Sequence, residues 1–356
     1  MNAARKLDAT NGGAVAAGAL ISISGPIDGK SAGGNDTLLI QASTGAGADG
    51  DVDLSGAVEG GAGTQNVTGG EDLEGLVVAG NVVNLRNIVV AGPITVTASG
   101  AGANIVLNGT DYQSTLVAAN VQFNGPVELK GGATTVQANA GTVNFNDNLD
   151  GKFDLNVVTD GTTRFGGVVG GITSLTSLTT SPNGTTLISG NVTTSGFQTY
   201  NDAVTLLQDA TLKSDLGQIK FSSTVDGARN LTVETGGATI FADTVGTASV
   251  STDAPGTTQL TKDVTTTGAQ SFGDNVTLLA NVTAKSTGGG NIRFGGAVNG
   301  TFGLVVDTAG GATLGGAVGT PGAGIASLEV TATTGIALNG GSVTTTGNLG
   351  AVRWHH

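Results

Sequence analysis

A short motif recurs along most of this chain at intervals that few folds can absorb. It consists of a large apolar residue, three residues that usually include Gly, Asn or Asp, and then Val or Leu. The first run is Phe123 with Val127, Phe145 with Leu149, Phe165 with Val169 and Ile188 with Val192. A second run follows as Tyr200 with Val204, Phe221 with Val225, Phe241 with Val245 and Leu260 with Val264. The third is Phe272 with Val276, Phe294 with Val298, Leu314 with Val318 and, one residue longer, Leu338 with Val343. The first positions advance by 22, 20, 23 and 12, then by 21, 20, 19 and 12, then by 22, 20 and 24. Self-similarity at a period of about 20 to 50 residues marks a stacked repeat architecture.

The steps nest inside a longer unit. Phe123, Tyr200 and Phe272 open successive units, 77 and then 72 apart in the numbering. Residues 192–200 (VTTSGFQTY) match residues 264–272 (VTTTGAQSF), and a further copy starts at Val343, Thr344, Thr345, Thr346 and Gly347. Residues 217–221 (GQIKF) match 290–294 (GNIRF) in the same register. Each of the longer steps holds short runs of Val, Ile, Leu and Thr broken by Gly, Asn and Asp, which is strand-and-turn chemistry. A single coil of this kind cannot bury its inner face, and stacking coils does so. The expected fold is all-β: a parallel β-helix, or β-solenoid, of about 20 residues per coil, the short end of the repeat range. Its super-repeat runs from 72 to 79 in the numbering. Phe123, Tyr200 and Phe272 are expected at stacked or equivalent core positions. Coils ~4.8 Å apart, on the order of 15 of them, would give a rod ~70 Å long. The step of 12 reads either as a short coil or as an excursion on a longer one.

Composition agrees and removes alternatives. The chain has 356 residues, 62 of them Gly, six Pro and no Cys. Without a three-residue Gly period collagen is excluded, and without Cys so are disulfide scaffolds and thiolate metal sites. A net charge of −13 with 14 Lys and Arg disfavours nucleic-acid binding, which needs clustered cations. A hydrophobic share of 38% with 12% charged residues is the reverse of a disordered composition. No apolar stretch reaches the length of about 18 residues that a membrane span needs, so no transmembrane helix is expected.

Residues 121–356 carry the regular coils, and residues 31–120 read as divergent coils of the same continuous rod. In the latter, residues 52–58 and 105–109 repeat the motif loosely, and Leu76 to Val96 holds dense apolar runs that read as buried strands. Residues 1–30 are expected to form an N-terminal segment or cap. Arg5 and Lys6 ahead of the apolar run 14–21 imitate a signal peptide, but Asp8, Gly12 and Gly13 interrupt it. The alternation at Ile21, Ser22, Ile23 and Ser24 favours a strand, and the chain is expected to be a piece of a longer protein.

Residues 217–233 and 265–272 resemble repeats of large bacterial surface exoproteins, the filamentous-haemagglutinin-like adhesins and related autotransporter passengers. The resemblance covers roughly residues 121 to 350. It implies a right-handed parallel β-helix, export across the outer membrane, and a role in adhesion or in building surface structure.

Each candidate site has a plainer reading beside it. Parallel β-helices include polysaccharide lyases and hydrolases, which need clustered carboxylates for acid–base work. The densest groups are Asp147, Asp150 and Asp154, and Asp49, Asp51 and Asp53. The first lies in an Asx-rich turn where such side chains cap backbone, and the second reads as a solvent-facing strand edge. His355 and His356, the only histidines, stand at the extreme end. Residues 33–38 (GGNDTL) imitate part of a calcium-binding β-roll repeat, but that chemistry needs consecutive copies. Nine Asn-x-Thr sequons occur, including those at Asn191, Asn275 and Asn281, and composition explains most of them. Thr95 and Thr97, or Thr331 and Thr333, do not hold the outward register an ice-binding face needs. The sequence therefore assigns no catalytic, cofactor-binding or metal-binding residue; calcium is the one ion considered. It favours a non-enzymatic adhesin-type scaffold at the bacterial surface or outside the cell. The expected partner is a cell-surface receptor or glycan. The second reading is a fibre or surface-layer subunit that binds copies of itself end to end, since open solenoid ends expose unpaired strands.

Overall fold

The computed structural model describes residues 73–320, 322, 324–347 and 349–354, together with strands at 5–8, 21–22, 36–41, 52–54 and 67–68. The fold is all-β: parallel strands stack in about 12 turns of roughly 21 residues each, a β-solenoid, with no helix among the described residues. The turns are fewer than the sequence led us to expect because the first ones are long. Ile21 pairs with Val52 and Val52 with Val83, turns half as long again as the regular ones, and the turn that pairs Leu38 with Leu76 is longer still. The chain divides into two compact units, Met1–Thr186 and Leu187–His356.

In the first unit three parallel ladders carry three inward columns. Val96, Phe123, Phe145 and Phe165 form one. Leu85, Leu107, Leu129 and Gly151 form the second. Ile88, Tyr112, Val136, Val157 and Thr180 form the third. Alternation along each strand puts one side chain inward and the next outward; Ile94–Ala98 and Thr134–Ala138 show this as strictly buried and half-buried residues in turn. The apolar runs at Leu76, Ile88 and Ile94 are strands of this core, as expected.

The second unit is built the same way. One column runs Tyr200, Phe221, Phe241, Leu260, Leu278. A second runs Val204, Val225, Val245, Val264, Ala284, Val306, Val330. The third runs Val192, Leu212, Val233, Thr252, Phe272, Phe294, Leu314 and reaches Leu338, which is exposed.

These columns explain the short step in the motif spacing. Tyr200, Phe221, Phe241 and Leu260 mark the corner between the first and second columns. Phe272, Phe294, Leu314 and Leu338 mark the corner between the third and first, with Val298 bridging Val318 and Val318 bridging Val343. The step from Leu260 to Phe272 is therefore neither a short coil nor an excursion. It crosses two faces of one turn, and the next super-repeat lays the same motif on a different corner. Tyr200 and Phe272 are equivalent in the repeat and both fully buried, yet they stand in different columns. Their stacking partners are the next residues of their own series. Tyr200 stacks on Phe221 at 5.3 Å and Phe221 on Phe241 at 5.2 Å, while Phe272 stacks on Phe294 at 5.0 Å.

Between coils, Asx side chains tie one turn to the next. Asn191 accepts from the Thr211 amide, Asp263 from Thr283, Asn275 from Ala297 and Asn291 from Gly311. Each reaches one coil along the stack. The turn-forming Asx residues of the sequence are thus also coil-to-coil clamps.

Candidate functional site

Polar side chains concentrate in two places: inside the coils at the corners, and in a trench on the surface of the second unit. The interior groups follow the super-repeat. Thr194 Oγ1 donates to the Gly196 carbonyl, Ser214 Oγ donates to the same carbonyl, and Ser214 Oγ accepts from the Gly217 amide. In the next copy Thr266 donates to Gly268, Ser286 to the same carbonyl, and Gly290 donates to Ser286. The third copy begins alike, with Thr345 donating to Gly347. A buried hydroxyl at the corner takes up carbonyls and amides that the turn leaves unpaired.

Gln198 and Gln270 complete the corner, both fully buried. Gln198 Nε2 donates to the carbonyls of Val192 and Lys213, and the Tyr200 hydroxyl donates to Gln198 Oε1 at 3.0 Å. Gln270 Nε2 repeats the first two bonds, to Val264 and Lys285. Its Oε1 has no partner, because Phe272 stands where the first copy has Tyr200. Phe272→Tyr is expected to supply that partner and raise stability by about 1 kcal/mol, the net worth of one buried hydrogen bond. Tyr200→Phe should lose a similar amount. Denaturant unfolding of the two variants checks both signs.

Two carboxylates at matching places in the repeat, Asp202 and Asp274, are buried in the coils. Asp274 is 3% exposed and accepts from Thr252 Oγ1 at 3.1 Å and Thr258 Oγ1 at 2.8 Å. Loss of hydration raises its pKa above the ordinary carboxylate value, and the charge of Asp253 raises it further, against the two threonine bonds. Asp253 is shifted upward as well, by burial and by Glu234. A raised carboxyl favours the folded state while protonated. Its contribution is complete below the unfolded value near pH ~4 and is lost as pH rises through the folded value. Asp274→Asn keeps an acceptor for both threonines and removes the charge. It should therefore melt higher than the parent at pH 7, with the gap closing below pH ~4; melting curves across that range measure it.

The surface trench has a volume of about 340 Å³ and is lined by Asp263, Asn281, Val282, Thr283, Gly303, Val305 and Ser327. It crosses four successive coils, since Val264 pairs with Ala284, Ala284 with Val306 and Val306 with Val330. Two lining side chains are fixed by the clamps: Asp263 Oδ1 accepts from the Thr283 amide and Asn281 Oδ1 from the Gly303 amide, each at 2.8 Å. Among the described residues, Asp263 Oδ2, Asn281 Nδ2, Thr283 Oγ1 and Ser327 Oγ make no hydrogen bond. Phe302, the chain neighbour of Gly303 and not itself a lining residue, is 36% exposed beside the trench.

The carboxylates considered from sequence are not gathered into one site. Asp147 Oδ1 accepts from the Asn148 amide, Asp150 Oδ1 from the Ile172 and Thr173 amides, and Asp154 Oδ1 from the Ser177 hydroxyl. Asp147 caps local backbone, while Asp150 and Asp154 tie to amides and a hydroxyl of the next coil. Asp53 sits in the strand Val52–Leu54, while Asp49, Asp51, His355 and His356 lie outside the described residues. Of the β-roll-like segment, residues 33–35 also lie outside them, and Asp36 opens the strand Asp36–Gln41. Among the described residues no three His, Cys, Asp or Glu side chains converge as a metal would require, and no helix is long and apolar enough to cross a membrane. Sequence reading missed the buried Thr, Gln and Asp and the trench. The alternation could have found the first set: Gln198 and Tyr200 are two apart, as are Gln270 and Phe272, so each pair shares a face.

The chain matches no protein-family model, and searches of curated proteins and of solved structures return no match.

Proposed function

We propose that this chain is a non-enzymatic, adhesin-type β-solenoid scaffold, displayed at the bacterial surface or outside the cell, that mediates attachment to a surface receptor or glycan. The observation that carries the reading is where the polar side chains are spent. Buried hydroxyls, amides and the Asp clamps bind the neighbouring coil, as at Ser214, Gln198, Asp150 and Asp263. Such groups hold a stack together and leave its outer faces to carry recognition. The repeat resemblance at residues 217–233 and 265–272 supports the same assignment.

Beads coated with the purified chain should attach to cultured cells well above beads coated with an unrelated protein of equal charge. Attachment no greater than that control overturns the reading. Concentration-dependent filaments in light scattering would replace it with the fibre-subunit reading, and turnover of an acidic polysaccharide would overturn the non-enzymatic assignment.

A further inference from the structure

The super-repeat supplies an internal comparison for the trench. In the preceding copy the places of Asp263 and Asn281 are taken by Asn191 and Asp209, and those of Phe302 and Gly303 by Arg229 and Asn230. The clamps are the same in both copies: Asn191 accepts from the Thr211 amide, and Asp209 Oδ1 from the Asn230 amide. The filling is different. In the first copy Asn230 Nδ2 donates to Asp209 Oδ2 at 2.8 Å, Ser249 Oγ donates to Asn230 Oδ1 at 2.7 Å, and Arg229 Nε donates to the Leu207 carbonyl. The Asn230 side chain thus occupies the polar groups around it. In the second copy Gly303 has no side chain, and a Cβ there would lie 2.6 Å from Ser327 Oγ and 3.4 Å from Asn281 Oδ1. The counterparts of Asn281 and Ser327, Asp209 and Ser249, are satisfied internally in the first copy, whereas Asn281 Nδ2 and Ser327 Oγ are left open in the second, and the neighbouring cation is replaced by an exposed aromatic ring.

We propose that the trench at Asp263, Asn281, Thr283, Gly303 and Ser327 binds a short neutral oligosaccharide, with Phe302 as its stacking platform. The assignment deepens the attachment reading above and rests on it. Sugar hydroxyls both donate and accept, which suits a site offering a carboxylate oxygen, an amide N–H₂ and two hydroxyls. The apolar C–H face of a sugar ring suits an exposed aromatic, which carries a large apolar body at small entropic cost. Four coils ~4.8 Å apart give a floor ~14 Å long, room for more than one ring. The clamps hold Asp263 and Asn281 in place before any ligand arrives, so little ordering is required on binding. An acidic carboxylate in the floor and a net charge of −13 select against sulfated or carboxylated sugars.

The test is calorimetric titration of the whole chain with neutral tri- and tetrasaccharides of glucose, mannose, galactose and N-acetylglucosamine, and with a sulfated heparin hexasaccharide. At least one neutral oligosaccharide should bind with a stoichiometry of one. Gly303→Asn, which copies the closed first trench, should weaken that affinity at least tenfold at unchanged melting temperature, and Phe302→Ala should weaken it similarly. Asn230→Gly combined with Arg229→Phe should open the first trench and raise the stoichiometry to two. Binding of the sulfated probe alone, no binding by any neutral sugar, or full affinity in Gly303→Asn overturns the assignment. Bead attachment that persists in Gly303→Asn sinks the trench and leaves the scaffold reading intact. Wild-type beads that never attach sink the scaffold reading, whatever the sugars do.

Discussion

Phe221→Ala should cost about 3–5 kcal/mol, the range for removing a large buried aromatic. Phe221 is fully buried between Tyr200 and Phe241, its ring within 11° and 4° of parallel to theirs. Centroids 5.2 and 5.3 Å apart follow the ladder spacing, since strand pairing already sets neighbours at about 4.8 Å. The backbone therefore brings the rings to contact distance, and removing the middle one breaks two aromatic contacts as well as opening a cavity. Each such contact adds about 0.5–1.5 kcal/mol beyond buried area. Phe294→Ala, with Phe272 on one side and Leu314 on the other, should cost less. In a stack where each coil touches only its neighbours, the damage is also expected to be local. Hydrogen exchange should show protection lost first in the strands Gln198–Tyr200, Ile219–Phe221 and Ala238–Phe241. A uniform loss across the chain would argue against nearest-neighbour coupling.

The aromatic stacks show how far the sequence carries. The even spacing from Tyr200 through Phe221 to Phe241 could only be a series of coil steps, and those residues do stack. The jump from Leu260 to Phe272 could not be read in the same way. One motif marks any corner, and three corners look alike in a linear string; only the pairing of Thr252 with Phe272 tells which face the chain has reached. The turn counts failed for a related reason. Motif spacing in residues 121–356 says nothing of the longer turns that join Ile21, Val52 and Val83. The buried polar groups escaped because Thr, Gln and Asp are usually outside, and an alternating strand that places Thr194 or Gln198 inward runs against that expectation. The trench was legible only as a difference between copies. In the linear string Gly303 is one glycine among 62, and only its counterpart Asn230, which fills the same space in the first copy, sets it apart.

Glycine carries the other large effect, and two positions in the first unit separate its causes. Gly102 has φ +77° and open space where a Cβ would stand. Gly102→Ala should therefore lose only the cost of a left-handed backbone, about 1 kcal/mol. Gly151 has φ +140° and ends the Leu85, Leu107, Leu129 column. A Cβ there would lie 2.6 Å from the Leu129 carbonyl oxygen and 2.7 Å from the Leu129 Cβ. No rotamer change relieves a clash with backbone, so the two coils must separate, and overpacking of that kind adds about 1–3 kcal/mol. Gly151→Ala is thus expected to lose about 2–4 kcal/mol, strain and clash together, and Gly102→Ala the strain alone. Unfolding curves of the two variants, read against the parent, measure the difference directly. Equal losses would mean that the turn conformation sets the need for glycine here. A loss at Gly151 larger than its φ of +140°, costlier for a side chain than the +77° of Gly102, can account for would mean that the distance between coils does, and that glycine is required wherever one turn of this stack closes down on the backbone of the last.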